Sequence, residues 1–420
     1  MTDSNVPASP LSDPGPGLAG SFATLGDEFL ADPYALYERM RRTDPVLWVP
    51  GFFGLGAWLV TGHALASTVL RCKHFGREGD KVLPPEKLAL CPQEAAALAD
   101  RRRSMLFHDP PDHTRLRALV SRAFTPSTVQ ELRPHIAEIA EDLLDAVEGQ
   151  GHMDLIRDFA FPLPVIVIAE LLGIPPEDRD RIQGWSSDLI SVLNPLAGAD
   201  EAARVQQAVF ALDEYLGAIV EERRRVPRAD LISELTRVHD AGDQLSTMEL
   251  LSTCRLLLTA GHETTVHLIG NGMLALLTHP AAQDMLSVEP ELLPQAVEEL
   301  LRYDSPAQLA MRYALEDEFL GGHAMRRGDL VVPLLGAANR DPEHFPAPDE
   351  LDLLRGNAHD HLSFGAGIHY CLGAPLARLE GQVAIGALLR RLPRLALGDG
   401  QPVWRKNLVL RGLSSLPVTF

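Results

Sequence analysis

From Ser246 to Pro280 the chain carries one unbroken helical signal, and its length dictates the size of whatever folds around it. Ser246 and Glu249 form S-x-x-E, a capping box that satisfies free amides at a helix start. Behind it Leu250, Leu257, Leu258, Val266, Ile269 and Leu276 recur at helical spacing until Pro280 stops the run. Roughly 32 residues rising 1.5 Å each make a rod of about 48 Å. It is apolar on nearly every side, so it belongs in the core of a domain that it crosses from end to end.

Helical patterns dominate the remainder. Thr125-Pro126 offers an N-cap and a proline at N1 for a helix running through VQELRPHIAEIAEDLLDAV, stopped by Gly149 and Gly151. A second amphipathic helix covers 201–224, and a final one runs from about Leu372 to Leu392. Strands are few. Val46–Trp48 and Ala57–Val60 flank a Gly-Phe-Phe-Gly turn, and Phe319–Val332 is broken by turns at Gly321-Gly322 and Arg327-Gly328-Asp329. The fold class is mainly α with small peripheral β-sheets (α+β).

A length of 420 residues would allow two or three domains at about 150 residues each, yet no repeat or Gly/Ser linker divides the chain. Residues 1–25, opening with four prolines and three glycines in the first twenty, read as a disordered or loosely packed N-terminal tail. Residues 26–420 read as a single domain. The formal charge of −19 repels nucleic acid and anionic membranes, so neither is an expected partner. No signal peptide opens the chain. The most apolar stretch, Phe159 to Ile174, is cut by Pro162, Pro164 and Glu170 before it could span a bilayer. A cytoplasmic protein with reduced thiols, acting as a monomer, is expected. Four cysteines are too few for a disulfide scaffold.

One of those cysteines stands in a dense motif. Phe364-Gly365-Ala366-Gly367-Ile368-His369-Tyr370-Cys371-Leu372-Gly373 fits F-x-x-G-x-[HR]-x-C-x-G at every fixed position. From composition, accidental matches are expected on the order of 10⁻⁴ times in such a chain. Cys371 lies just before a helix N-terminus, whose free amides and dipole favour a thiolate. Gly367 and Gly373 remove bulk where a flat cofactor would approach the backbone. A thiolate ligand donates electron density to haem iron and assists O–O cleavage. Cys72, Cys91 and Cys254 read as inert structural cysteines.

With these residues the sequence resembles the cytochrome P450 family of haem-thiolate monooxygenases, in its soluble bacterial form, over nearly the whole chain after residue 25. The resemblance implies haem b, ligated by Cys371 and cradled by Phe364, Gly365, His369 and Gly373, with O₂ as co-substrate. Ala260-Gly261-His262-Glu263-Thr264-Thr265, midway along the long helix, looks like the family's A-G-x-[DE]-T-T segment beside the oxygen site. Ala260 and Gly261 would border the haem, with Gly261 opening space for O₂. Glu263 and Thr264 would be the catalytic pair that delivers protons for O–O cleavage. A zinc-protease reading of His262-Glu263 fails. The second histidine would have to stand at Val266, and His267 lies about 140° around the helix.

Further motifs follow in the family's order. Glu299-Leu-Leu-Arg302 matches E-x-x-R, implying a buried structural pair that braces the haem-binding loop, with Arg340, Arg355 or His361 as a third partner. His113 and Arg117, one turn apart, together with Arg312 and His369, match the residues that bind the haem propionates. The runs Arg101–Arg103 and Arg223–Arg225 read as solvated faces; a basic patch near Cys371 would suit an acidic ferredoxin. No reductase segment follows Cys371, so a separate ferredoxin with its NAD(P)H-dependent reductase is the expected electron source. The reaction expected is insertion of one oxygen atom into a small hydrophobic substrate, by hydroxylation or epoxidation. A peroxide-driven fatty-acid hydroxylase and a haem gas sensor are the alternatives, both disfavoured by the Glu263/Thr264 pair. The resemblance draws the substrate pocket from 76–105, 180–215, Ala307 to Leu309 and Leu410–Leu413. Its candidate lining includes Leu83, Leu88, Leu90, Ile190, Val192 and Leu193.

Overall fold

A computed structural model describes residues 27–52, 55–84, 104–191, 199–240 and 245–420. The expected tail, Cys91, Arg101–Arg103, Leu88, Leu90, Val192 and Leu193 lie outside the described residues, as does the side chain of Ile190.

The long helix spans Thr247–Thr278, 32 residues, with Ser246 as N-cap and both halves of the capping box formed. All six of its marker apolar residues are buried. Each contributes about 1.5–3 kcal/mol by leaving water. Around this core helix pack Pro162–Leu172, Ala199–Arg225, Leu293–Tyr303 and the helix that follows the cysteine motif, Ala374–Arg391. The contacts are close. A Cβ on Gly272 would sit 3.2 Å from Leu300 and 3.6 Å from Ile385, so three helices meet at that point.

The helix expected from Thr125 onward is two helices. Thr125 caps Pro126–Glu131, and a second helix begins at Arg133 and ends at Asp145. Pro134 explains the restart, because its ring removes an amide donor and obstructs the preceding turn.

Strands lie at the periphery. One five-stranded sheet runs in the order Val46–Val49, Ala57–Val60, Leu330–Pro333, Arg312–Ala314, Phe75–Gly76. Its register pairs Phe75 with Ala314 and Gly76 with Tyr313, which brings Arg77 level with Arg312. A hairpin near the C-terminus pairs Val403–Trp404 with Leu413–Ser415 across a β-bulge. Among the described residues no helix is long and apolar enough to cross a membrane. The three described cysteines, Cys72, Cys254 and Cys371, are all free.

Candidate active site

The cysteine loop is held by its own backbone and by the helices beneath it. Cys371 N–H donates to the Phe364 carbonyl at 2.9 Å, closing the loop on itself. Gly365 and Gly367 adopt positive φ, at 66° and 72°. At Gly367 a Cβ would also lie 2.5 Å from the carbonyl oxygen of Leu70. Close packing on a neighbouring helix, rather than room for a cofactor, therefore requires that glycine. Gly373 is different. A Cβ there would meet only the Cys371 sulfur, at 4.0 Å.

Cys371 lies two residues before Gly373, the N-cap of the helix Ala374–Arg391, and keeps an exposed surface. Burial among protein atoms pushes its thiol pKa up, while the Gly373 amide and the Arg117 charge favour the thiolate. The helix terminus alone does not overcome desolvation in the protein matrix; a cationic metal would.

The core helix exposes a short strip in its otherwise buried middle. Ala260 is exposed, and Gly261 and Thr264 are half-buried. Thr264 Oγ1 donates to the Ala260 carbonyl at a long 3.4 Å, which leaves it free to turn elsewhere. A Cβ on Gly261 would stand 2.9 Å from Ile168, so this glycine lets two helices approach rather than opening space on the site side. Glu263, one residue before Thr264, is 1% exposed and directed away, towards Arg405 and His267. Burial pushes its carboxyl up, but the His267 hydrogen bond and the Arg405 and His262 charges hold it down at about 2.

The four residues matched to the propionates gather with a fifth. The rings of His113 and His369 lie 4.2 Å apart. Arg117 Nη2 donates to the Tyr370 carbonyl at 2.7 Å. Arg312 is 4% exposed, and burial followed by repulsion from Arg77 pushes it down to about 9. Burial and the charges of Arg312, Arg77, His113 and Arg117 drive His369 down to about 2. His113 Nδ1 and His369 Nε2 are buried with no hydrogen-bond partner among the described residues. Asp109, whose charge reaches His113 and Arg312, already accepts the amides of Arg77 and Glu78. A buried cluster of this sign calls for anions, and two propionate carboxylates would supply them. With the exposed strip and the cysteine, the residues present fit a haem. Arg77 escaped sequence reasoning because only the strand register places it beside Arg312.

The E-x-x-R pair lies beneath the loop. Glu299 and Arg302, both 0% exposed, form a two-pronged pair at 2.7 and 2.8 Å. Arg355 is the third partner, its Nε 3.1 and 3.2 Å from the same carboxylate. Arg340 pairs with Asp349 instead, and His361 faces Glu298. In the run Arg223–Arg225, Arg224 and Arg225 are exposed as a solvated face would be, but Arg223 is 1% exposed and bonded to Asp230 and the Gly173 carbonyl.

Sequence reasoning also missed Glu380, on the helix that follows the cysteine. It is buried beside Thr265, its carboxyl oxygens have no close hydrogen-bond partner among the described residues, and burial pushes its pKa up to about 8 against the weaker pull of the Thr265 hydroxyl. The unfolded chain loses this proton near the ordinary value while the folded chain keeps it. Stability must then fall as pH rises from about 4.5 to about 8. Glu380→Gln should remove that slope and add on the order of 3 kcal/mol at pH 7. Urea unfolding of both proteins at pH 5 and pH 7.5 checks it; equal slopes with pH would refute it.

Comparison with known proteins agrees with this geometry. Residues 186–410 match the family model described as Cytochrome P450. Cytochrome P450 CYP107DY1 of Priestia megaterium is 43% identical over 94% of this chain and 97% of its own. The polyketide biosynthesis cytochrome P450 PksS of Bacillus subtilis is 42% identical over 95% of this chain and 98% of its own. The crystal structure of the myxobacterial cytochrome P450 CYP267B1 in complex with myristic acid superposes with a TM-score of 0.88 at 43% identity, covering 94% of this chain and 97% of that one. A closed cysteine loop, a cluster of buried basic groups beside it, an exposed strip on an otherwise buried core helix and likeness along almost the entire length lead to one conclusion: the chain belongs to the cytochrome P450 family of haem-thiolate monooxygenases.

Proposed function

We propose that this monooxygenase inserts one oxygen atom of O₂ into a C–H or C=C bond of a hydrophobic small molecule, with electrons delivered by a ferredoxin and its NAD(P)H-dependent reductase. The observation that carries the reading is the placement of Thr264 on the exposed strip of the core helix with Glu263 directly behind it. Haem b, the family's cofactor, supplies the activation of O₂ when bound. Cys371 would hold its iron, and His113, Arg117, Arg312 and His369 would neutralise its propionates, with Arg77 as a fifth cation.

The chain's own part is to bring protons to the site and keep bulk water out. Thr264 would present its hydroxyl to the reacting oxygen, and Glu263 would resupply it from the protein's far side. The apolar Ile368 (50% exposed) and Tyr370 (38%) flank Cys371, with Arg117 on the Tyr370 carbonyl and Arg378 on its hydroxyl. An apolar patch with a positive rim suits an acidic ferredoxin. Residues 26–420 act as one domain in this reading, in the cytoplasm. Fatty acids and polyketides, the ligand and pathway named for two relatives, are the first classes to screen by the spectral shift of bound haem.

The test is turnover under isotopically labelled O₂ with ferredoxin and reductase, which should place one labelled oxygen in the product. Thr264→Ala should divert electrons to H₂O₂ and lower product per electron by about 10²-fold, the scale of a lost proton-transfer group. Unchanged coupling in that variant would remove Thr264 from the relay.

A further inference from the structure

Glu263 is held from the side opposite the site. Its Oε1 accepts from Nη1 of Arg405, 2.5 Å away, a residue that follows the strand Val403–Trp404 of the C-terminal hairpin. His267 Nε2 stands 3.4 Å from that oxygen and His262 Nε2 3.8 Å from Oε2. Oε2 itself, His267 Nδ1 and Arg405 Nε are buried without a hydrogen-bond partner among the described residues. Polar atoms in that position are normally satisfied by water. The hairpin reaches this depth because residue 412 is glycine, where a Cβ would lie 1.9 Å from His267 Nδ1.

The Arg405 side chain is not wholly interior. It is 30% exposed and helps line a cleft with Trp404, Asn407 and Leu408 of the hairpin and Phe29 and Tyr37 of the N-terminal segment. One guanidinium therefore joins a surface cleft to the buried carboxylate behind Thr264. We propose that Arg405 is a positioning residue that clamps Glu263, and that swinging it into this cleft opens Glu263 to solvent entering between the N-terminal segment and the C-terminal hairpin. The proposal rests on the reading of Glu263 and Thr264 as the proton relay.

The electrostatics call for such a release. Clamped among Arg405, His267 and His262, Glu263 stays ionised and has no proton to give at neutral pH. Without Arg405, burial acts against two histidines, of which His262 is itself pushed down by burial. The carboxyl then rises towards the range in which it takes up and yields protons.

Infrared difference titration of the haem-loaded protein reads this directly, with the Glu263 signal assigned by its loss in Glu263→Gln. In the wild type Glu263 should remain ionised down to the lowest pH at which the protein stays folded. In Arg405→Gln it should protonate about two pH units higher or more, and Arg405→Lys should largely restore the wild-type behaviour. An unchanged titration in Arg405→Gln would mean that His267 suffices and would overturn the clamp. Wild-type Glu263 protonating above its ordinary range would overturn it as well, even if Arg405→Gln failed to fold. For the route, Leu408→Trp added to Arg405→Gln should slow protonation after a pH jump at least about threefold by filling the cleft; an unchanged rate would place the entry elsewhere. The relay has its own measurement, the diversion of electrons to H₂O₂ in Thr264→Ala and Glu263→Gln, so either idea can fail without the other.

Discussion

Cys371→Ser is expected to fold normally, to lose the carbon monoxide difference band of a haem thiolate and to retain less than about one-thousandth of wild-type turnover, a loss of roughly 4 kcal/mol of transition-state stabilisation. The folding half follows from the environment. Cys371 keeps an exposed surface, and the loop closes through its backbone amide on the Phe364 carbonyl, which serine reproduces. The unfolding free energy of the haem-free variant should sit within about 0.5 kcal/mol of the wild type. Haem would still enter, because the cradle of the Arg77 and Arg312 guanidiniums with the His113 and His369 imidazoles is independent of the sulfur. The chemistry would not survive, since a serine oxygen cannot push electron density onto the iron as a thiolate does. If the variant kept the thiolate band, another cysteine would have to be the ligand. Neither other described cysteine is placed for it: Cys72 follows the helix His63–Arg71, and Cys254 is buried with its thiol pushed up to about 12.

What could be read before folding divides along sequence separation. The core helix was legible because its signals are local: a cap, an apolar period and a terminating proline within 35 residues. The break at Leu132 was equally local. Good helix formers surround Pro134 on both sides and mask the break in the pattern, but in the folded chain the missing amide wins. The cysteine motif names its ligand by type and spacing. The partners of buried charges are another matter. Arg340, Arg355 and His361 are all plausible for Glu299 by distance along the chain, and only the path of the loop after Asn339 brings Arg355 within 3.2 Å. Arg405 meets Glu263 across 142 residues and Arg77 reaches Arg312 through strand register, so no local pattern could announce either. Gly261 was legible as a glycine and misread as to purpose: its missing Cβ faces Ile168.

Glu299→Gln should cost about 3–5 kcal/mol, because it leaves two buried guanidiniums without their only countercharge among the described residues. Every other donor in the group is already committed. Arg302 Nη1 donates to the carbonyls of Asn339 and Pro348, and Arg355 Nη2 to those of Ala347 and Glu350. The guanidiniums therefore cannot turn outward without stranding carbonyls, and the amide that replaces the carboxylate brings donors to a place already full of them. The damage should travel to the haem. Asn339 accepts the Leu362 amide at 2.7 Å and donates to Ser363, two links in the chain leading to the cysteine loop. The adjoining group, where Arg378 pairs with Glu298 and stacks on Phe364 with its guanidinium 4.6 Å from the ring, stays intact. Its survival should leave the loop attached but loosened. Denaturant midpoints should therefore fall while haem, where it is retained, dissociates faster, measured by transfer to an apo-globin acceptor. A fall in stability with unchanged haem loss would restrict the triad to holding the segment between Asn339 and Arg355 and would separate it from the cofactor.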